Sequence, residues 1–257
     1  MTGYRQGSRR CREGGETEES KSWDKQSSRD ERESSADKSI SQQIVLEPDR
    51  NQKEEPAYPS YKPERVTRNE ICSALARGGI WQLFWSSSTV GIPSLEETEL
   101  PGSIVVNAVL TEPFRTRGRV IIDNFRERFV MGVKFLLRLL ADYGKVEIIL
   151  TDVKDPLARR MYKELAGFAW IRLHPVSLKY PVENPLVLRC ALKRGDSHIN
   201  KKDTVWVIDV QGLAALGACL GEGYPLYRRV VAAGGPAHHP TTHISALVGT
   251  PLSHFIK

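Results

Sequence analysis

The apolar residues of this chain fall into runs whose spacing switches between continuous stretches and a three-to-four-residue repeat, and that switching lays out its elements. SIVVNAV (103–109), KVEIIL (145–150) and TVWVID (204–209) are short, rich in β-branched residues and bounded by polar or turn residues, as in strands covered on both faces. Phe125, Phe129, Val133, Leu136, Leu137 and Leu140 recur at helical spacing, while Arg126, Glu127, Lys134 and Arg138 fall elsewhere. This predicts an amphipathic helix stopped by Gly144. Asp155-Pro156 is an N-cap with proline at the first helical position, and predicts a helix through Leu157, Met161 and Leu165 to Gly167. Residues 169–173 and 186–192 read as two further strands, and the small apolar stretch 211–220, with Gly221 beyond it, as a helix.

Order begins at Thr67, where Thr67-Arg68-Asn69-Glu70 has the spacing of a capping box and Ile71, Ala74 and Leu75 form the apolar face behind it. At Gly78-Gly79 the helix either ends or resumes through residues 80–84 after a break. Strands alternating with helices in this order make a βαβ series, whose crossovers require parallel pairing, so an α/β three-layer domain is expected over residues 67–224. Residues 227–233 read as one more strand, stopped by Gly234, Gly235 and Pro236. The segment 225–257 is too short for an independent core. Upstream, residues 41–66 form a linker, held extended by Pro56, Pro59 and Pro63, with a short edge strand at QIVL (43–46). Residues 1–40 interleave basic and acidic side chains with Ser, Gly and Gln and bury too little apolar surface to offset their ordering entropy, so a disordered charged tail is expected there.

The formal charge is +6, but 37 basic residues stand against 31 acidic ones without a long single-sign block, which argues against a nucleic-acid footprint. Cys11, Cys72, Cys190 and Cys219 are far apart with no CxxC pair, which speaks against a disulfide framework or zinc knuckle and fits a reducing compartment. The longest apolar stretch, 130–140, is interrupted by Lys134 and Arg138, and the N-terminus has no apolar run after its charges. Any membrane association is therefore expected to be indirect, through a partner.

In an open α/β sheet the ligand crevice lies at the carboxyl ends of the strands, which nominates Asn107, Glu112, Asp152 and Asp209 as binding candidates, with Thr151 and Asp155 beside them. A carboxylate there can bind a ribose hydroxyl or a cation; the structural alternative is a helix cap for Asp155 and a solvated turn for Glu112. Arg77-Gly78-Gly79-Ile80-Trp81 is a poor phosphate cradle, since bulky residues follow its two glycines. His239 and His243 have the i, i+4 spacing of a metal pair, but Pro240 and two threonines disfavour a helix and no carboxylate completes the set. Trp81, Phe84 and Trp85 read either as an aromatic contact surface or, more commonly for such residues, as core. No nucleophile elbow, zinc-protease helix or Walker loop is present, so neither a catalytic nor a metal-ligating residue is assigned.

The succession of ARGGIW (76–81), IVVNAVLTEP (104–113), the helix at 129–140, TVWVIDVQGLAALG (204–217), LYRRVVAAGGP (226–236) and ALVGTPLSHFI (246–256) resembles the A subunit of the bacterial Na+-translocating NADH:quinone oxidoreductase. More distantly, it is similar to the C subunit of the Rnf complex and to the flavin-binding subunit of respiratory complex I. The resemblance covers residues 41–257. It implies a Rossmann-like α/β domain with a parallel sheet, followed from residue 225 by the start of a soluble-ligand-binding β-grasp domain. It also implies a peripheral subunit on the cytoplasmic face of the bacterial inner membrane, docked on membrane and flavin-bearing subunits that handle NADH, quinone, flavins and Na+. The related flavin-binding subunits carry a G-x-G-x-x-G-F-P loop where this chain has ARGGIWQLFW, so no cofactor bound directly by this chain is expected. Family members also begin with a lipoyl-like domain in place of the charged tail and continue past the equivalent of Lys257, which suggests a subunit truncated at both ends. The rival readings are a stand-alone α/β nucleotide- or flavin-binding domain working at the crevice of Asn107, Glu112, Asp152 and Asp209, and a non-functional fragment.

Overall fold

The computed structural model describes residues 55–96, 100–109, 112, 115–150, 156–165, 167–176, 181–194, 203–235 and 238–255, with the main chain alone at 157, 162, 193, 194 and 238–241. The expected charged tail, the QIVL strand and Thr151, Asp152 and Asp155 lie outside the described residues.

Helix α1 (Arg68–Arg77) opens on the predicted capping box: the Glu70 amide donates to Thr67 Oγ1 at 3.3 Å, and the Thr67 amide and hydroxyl donate to Glu70 Oε2 at 2.8 and 2.7 Å. The bonds from the Thr67 backbone and then its hydroxyl hold the Glu70 carboxyl below its ordinary value. A depressed carboxylate supports the folded helix at neutral pH, and that support is lost as acid protonates it. The helix ends at Gly78, and the residues beyond form a separate 3-10 turn, Trp81–Leu83.

Five strands follow: β1 (Trp85–Ser86), β2 (Ser103–Asn107), β3 (Lys145–Leu150), β4 (Ile171–Pro175) and β5 (Val205–Asp209). Their order in the sheet is β1-β5-β2-β3-β4. β2, β3, β4 and β5 run parallel, and β1 pairs antiparallel with β5 through Trp85↔Val207. Helices α2 (Gly118–Asn124) and α3 (Arg126–Leu136) carry the chain from β2 to β3, α4 (Pro156–Leu165) from β3 to β4, and α5 (Pro185–Arg194) from β4 to β5. Helix α6 (Val210–Glu222) follows β5.

Both faces of the sheet are covered, which is why its strands read as continuous apolar runs. Ile104, Val106, Val146, Ile148, Trp206 and Ile208 pack with buried residues of α1, α2, α3, α4 and α6 in the larger core. Val105, Ile149, Val205 and Val207 meet Val182, Leu188 and Leu192 in a smaller one under α5. Trp81 and Phe84 belong to the larger core, with ring centroids 5.4 and 5.6 Å from that of Trp206.

Three expectations need correction. Residues 186–192 are helix, not strand: Leu188 and Leu192 are buried one turn apart, and Asn184 Oδ1 accepts from the Leu186 amide at 2.9 Å, starting the helix with Pro185 as its first residue. A short apolar run does not distinguish a buried strand from a buried helix face. The helix expected from Phe125 is preceded by α2, whose seven residues are too few to show a period, and Phe125 is the joint between the two. Finally, the HHPTTH segment, for which the sequence only disfavours a helix, is part of a strand.

That strand is β7 (His238–Leu247), which pairs antiparallel with β6 (Arg228–Gly235) in register Val230↔Ser245. The hairpin is tied to the α/β unit at Val230: Thr116 Oγ1 donates to Val230 O at 2.7 Å, and the Val230 amide donates to Gln211 Oε1 at 2.5 Å.

Helix α6 reaches its place because it lacks bulk. A Cβ at Gly217 would lie 1.8 Å from Arg128 O, and one at Gly132 would lie 2.5 Å from Leu213 O, so α3 and α6 cross backbone to backbone. At its end Gly223 adopts φ 82°, a left-handed cap, and its carbonyl accepts from the Ala57 and Tyr58 amides at 3.0 and 3.1 Å. Gly217→Ala gains helix propensity but forces a methyl into a carbonyl that cannot turn aside. Urea unfolding followed by circular dichroism is expected to show a loss of about 3 kcal/mol, and an unchanged midpoint would contradict the close crossing.

Candidate functional site

The chain goes from β2 outward to β3 and β4, then returns to the other side of β2 as β5, so the sheet's switch point lies between β2 and β5. Asn107 and Asp209 are register partners at the carboxyl ends of these two strands. Two of the residues nominated from sequence are thus side by side where doubly wound folds bind ligands.

Each has a structural task. Asn107 is 3% exposed, and its Oδ1 accepts from the Val109 amide at 2.9 Å, turning the chain as it leaves β2. Asp209 is the N-cap of α6, its Oδ1 accepting from the Gly212 amide at 2.6 Å. Asp209 Oδ2 lies 3.5 Å from Arg115 Nη2 and 3.9 Å from Arg229 Nη2. Arg115 also reaches Glu112 Oε2 at 3.3 Å and Glu183 Oε2 at 3.1 Å. The Glu112 amide donates to Glu183 Oε1 at 2.6 Å, so Glu112 joins the same cluster.

Among the described residues, the crevice thus holds a hub in which one guanidinium bridges three carboxylates from the β2–α2 loop, the approach to α5 and the start of α6. Arg115 and Glu183, which the sequence pattern does not single out, are its centre. Their only signal is charge in loops, which solvated chain shares. The partial positive charge at the α6 N-terminus is already met by the Asp209 carboxylate, so an incoming phosphate would have to displace a covalently tethered anion.

ARGGIWQLFW, the segment that the resemblance sets against a flavin loop, is largely buried. Ile80, Trp81 and Phe84 are 0%, 6% and 2% exposed, and the Trp81 indole donates to Pro93 O at 2.8 Å. The segment is core. The histidines of β7 do not fit a shared metal, because His239 and His243, four residues apart on a strand, are separated by about 13 Å. The side chains of His238 and His239 are outside the described residues, and His243 Nε2 accepts from the Arg117 amide at 3.3 Å.

A second polar pair lies under α5. Glu147, inside the KVEIIL run and 1% exposed, meets His174 Nε2 of β4 through Oε2, while its Oε1 has no hydrogen-bond partner among the described residues. Two buried thiols complete the inventory. Burial pushes the Cys219 thiol up to about 11, and it raises Cys72 as well against a smaller opposing effect of Arg68. Neither is suited to nucleophilic work, since the thiolate is the reactive form.

With this geometry in hand, the relatives become informative. A family model described as the NqrA second alpha/beta domain matches residues 66–224. The chain belongs to the family of that domain. It is 24% identical over 200 residues to the A subunit of the Na(+)-translocating NADH-quinone reductase of Rhodopirellula baltica, a match covering 76% of this chain and 39% of that protein. The corresponding A subunit from Marinomonas sp. is 25% identical over 199 residues, covering 77% and 40%. The C subunit of the ion-translocating oxidoreductase complex of Buchnera aphidicola is 26% identical over 160 residues, covering 60% and 31%. The chain thus spans about a third to two-fifths of the length of these relatives. Among the described residues, no helix is long and apolar enough to cross a membrane.

The two roles of Asp209 separate by mutation. Asp209→Ala removes the cap and is expected to cost about 1 kcal/mol in urea unfolding, whereas Asp209→Asn, which still caps, should lose only a few tenths. Alkylation of the native protein by iodoacetamide at mildly alkaline pH, mapped by peptide mass, should label exposed Cys190 well ahead of Cys72 and Cys219. Equal labelling of all three would contradict the burial described.

Proposed function

We propose that this chain serves as a peripheral docking subunit of an ion-translocating NADH:quinone oxidoreductase. It provides folded surface to membrane and flavin-bearing partners, which transfer electrons from NADH to quinone and export Na+. It holds no redox cofactor itself and meets the cytoplasmic face of the inner membrane only through those partners. The observation that carries this reading is the family relationship of residues 66–224, shared with subunits of two ion-translocating complexes. The geometry supports it from the other side. In a nucleotide-binding module the switch-point crevice receives the ligand, whereas here Asp209, Glu112 and Glu183 are drawn together by Arg115 in that crevice. On this reading the hairpin of β6 and β7 is the opening of the β-grasp domain that follows the Rossmann-like unit in the family, and it extends the docking surface.

The test is to tag the chain at its own locus, solubilise membranes in a mild detergent and resolve the complexes on a native gel stained for NADH-dependent dye reduction. The tagged chain should migrate with the stained band and with membrane-spanning subunits, and deleting its gene should remove the intact band. A chain found only as a free species that binds NADH or a flavin in titration calorimetry would instead establish the stand-alone nucleotide-binding reading.

A further inference from the structure

An open cleft with a water-accessible volume of about 70 Å³ lies between the hairpin and helices α2, α3 and α6. Ala214, Ala215 and Ala218 line it from α6, and because each contributes only a methyl group, that side is shallow and smooth. Phe125, Tyr224 and Tyr227 add aromatic side chains around it. A flat floor among aromatic residues suits a planar ring system better than a branched aliphatic body.

The charge of the lining has one sign. Arg128, Arg228 and Arg229 border the cleft, and among the described residues no carboxylate does. Arg128 is already held by Glu222 at 2.7 Å and lies over the Tyr224 ring, 5.6 Å from its centroid, so it fixes the wall. Arg229 is less well served. Among the described residues its one carboxylate neighbour, Asp209 Oδ2, is 3.9 Å from Nη2, beyond hydrogen-bond distance, and its Nη1 meets no acceptor. A guanidinium with an unmet buried donor favours an anion, because the missing acceptor is a cost that the anion removes.

We infer that this cleft is a binding site for a small planar aromatic molecule carrying a single anionic group, with the ring against the alanine face of α6 and the anion toward Arg229. The inference does not rest on the docking role, although the hairpin borders the cleft.

The probe is 2-naphthoate, titrated calorimetrically into the full chain, with uncharged 2-naphthylmethanol as its control. One saturable site is expected, with the alcohol binding at least tenfold more weakly and with naphthoate affinity falling as salt is raised. Ala215→Leu fills the floor with a good helix former and should abolish naphthoate binding in a protein whose circular dichroism is unchanged. Arg229→Gln should bring naphthoate down to the affinity of the alcohol. Should Arg229→Gln disturb the hairpin, Ala215→Leu and the salt series decide the matter without it. Equal affinity for acid and alcohol, or full naphthoate binding by folded Ala215→Leu, overturns the proposal.

Discussion

The backbone crossing of α3 and α6 is the constraint on which the other features of this unit depend. With no side chain at Gly217 or Gly132, α6 settles onto α3 through main-chain atoms, and that depth sets where everything on α6 stands. Its N-terminus places Asp209 beside the end of β2, its first turn offers Gln211 to the hairpin, and its alanines form one side of the cleft. Its last turn receives the incoming chain at Gly223, where a Cβ would lie 2.1 Å from Tyr58 O. One helix of small residues thus connects the entry of the unit, its switch point and its C-terminal hairpin. Packing at this density does not deform gradually.

Electrostatics follow from the same placement. Arg115 alone would gain little from any single half-exposed carboxylate, since an isolated surface pair contributes about 0–1 kcal/mol. Its value lies in position: the Glu183 side chain is 5% exposed, and Arg115 ties Glu112 and Glu183, in two separate loops, to Asp209 at the end of β5. The hub substitutes for a ladder where the strands have stopped. It also explains why Glu112 and Asp209, nominated as ligand contacts, are both partners of Arg115. Side chains that gather at strand ends serve binding or closure, and here Asp209 and Asn107 are both engaged by amides of their own chain.

Much of the α/β plan was legible in sequence because its strands are covered on both sides and its caps are local. Thr67 and Glu70 announce α1 within four residues, and the β-branched runs at 103–107, 145–150 and 205–209 have few other uses. What escaped was decided by distant partners. The run at 186–192 became α5 because the smaller core needed Leu188 and Leu192 on one side, information held by Val105 and Ile149 rather than by the run itself. β1 is two residues long and exists through its pairing with β5. β7 was obscured by Pro240, which a strand with an unpaired side tolerates. At the site, Asn107, Glu112 and Asp209 were found from the rule about strand ends, while Arg115 and Glu183 were not, because no pattern in a loop tells a bridging charge from a solvated one.

The attachment of Val230 governs how the small second sheet can grow. Its amide and carbonyl point away from β7 and are occupied by Gln211 and Thr116, so this flank of β6 is sealed by two side chains rather than left as a template for another chain. Adding a strand there would require breaking both bonds and lifting the hairpin from α6. At Val230, then, the small sheet is closed to a further strand by the helix that it rests on.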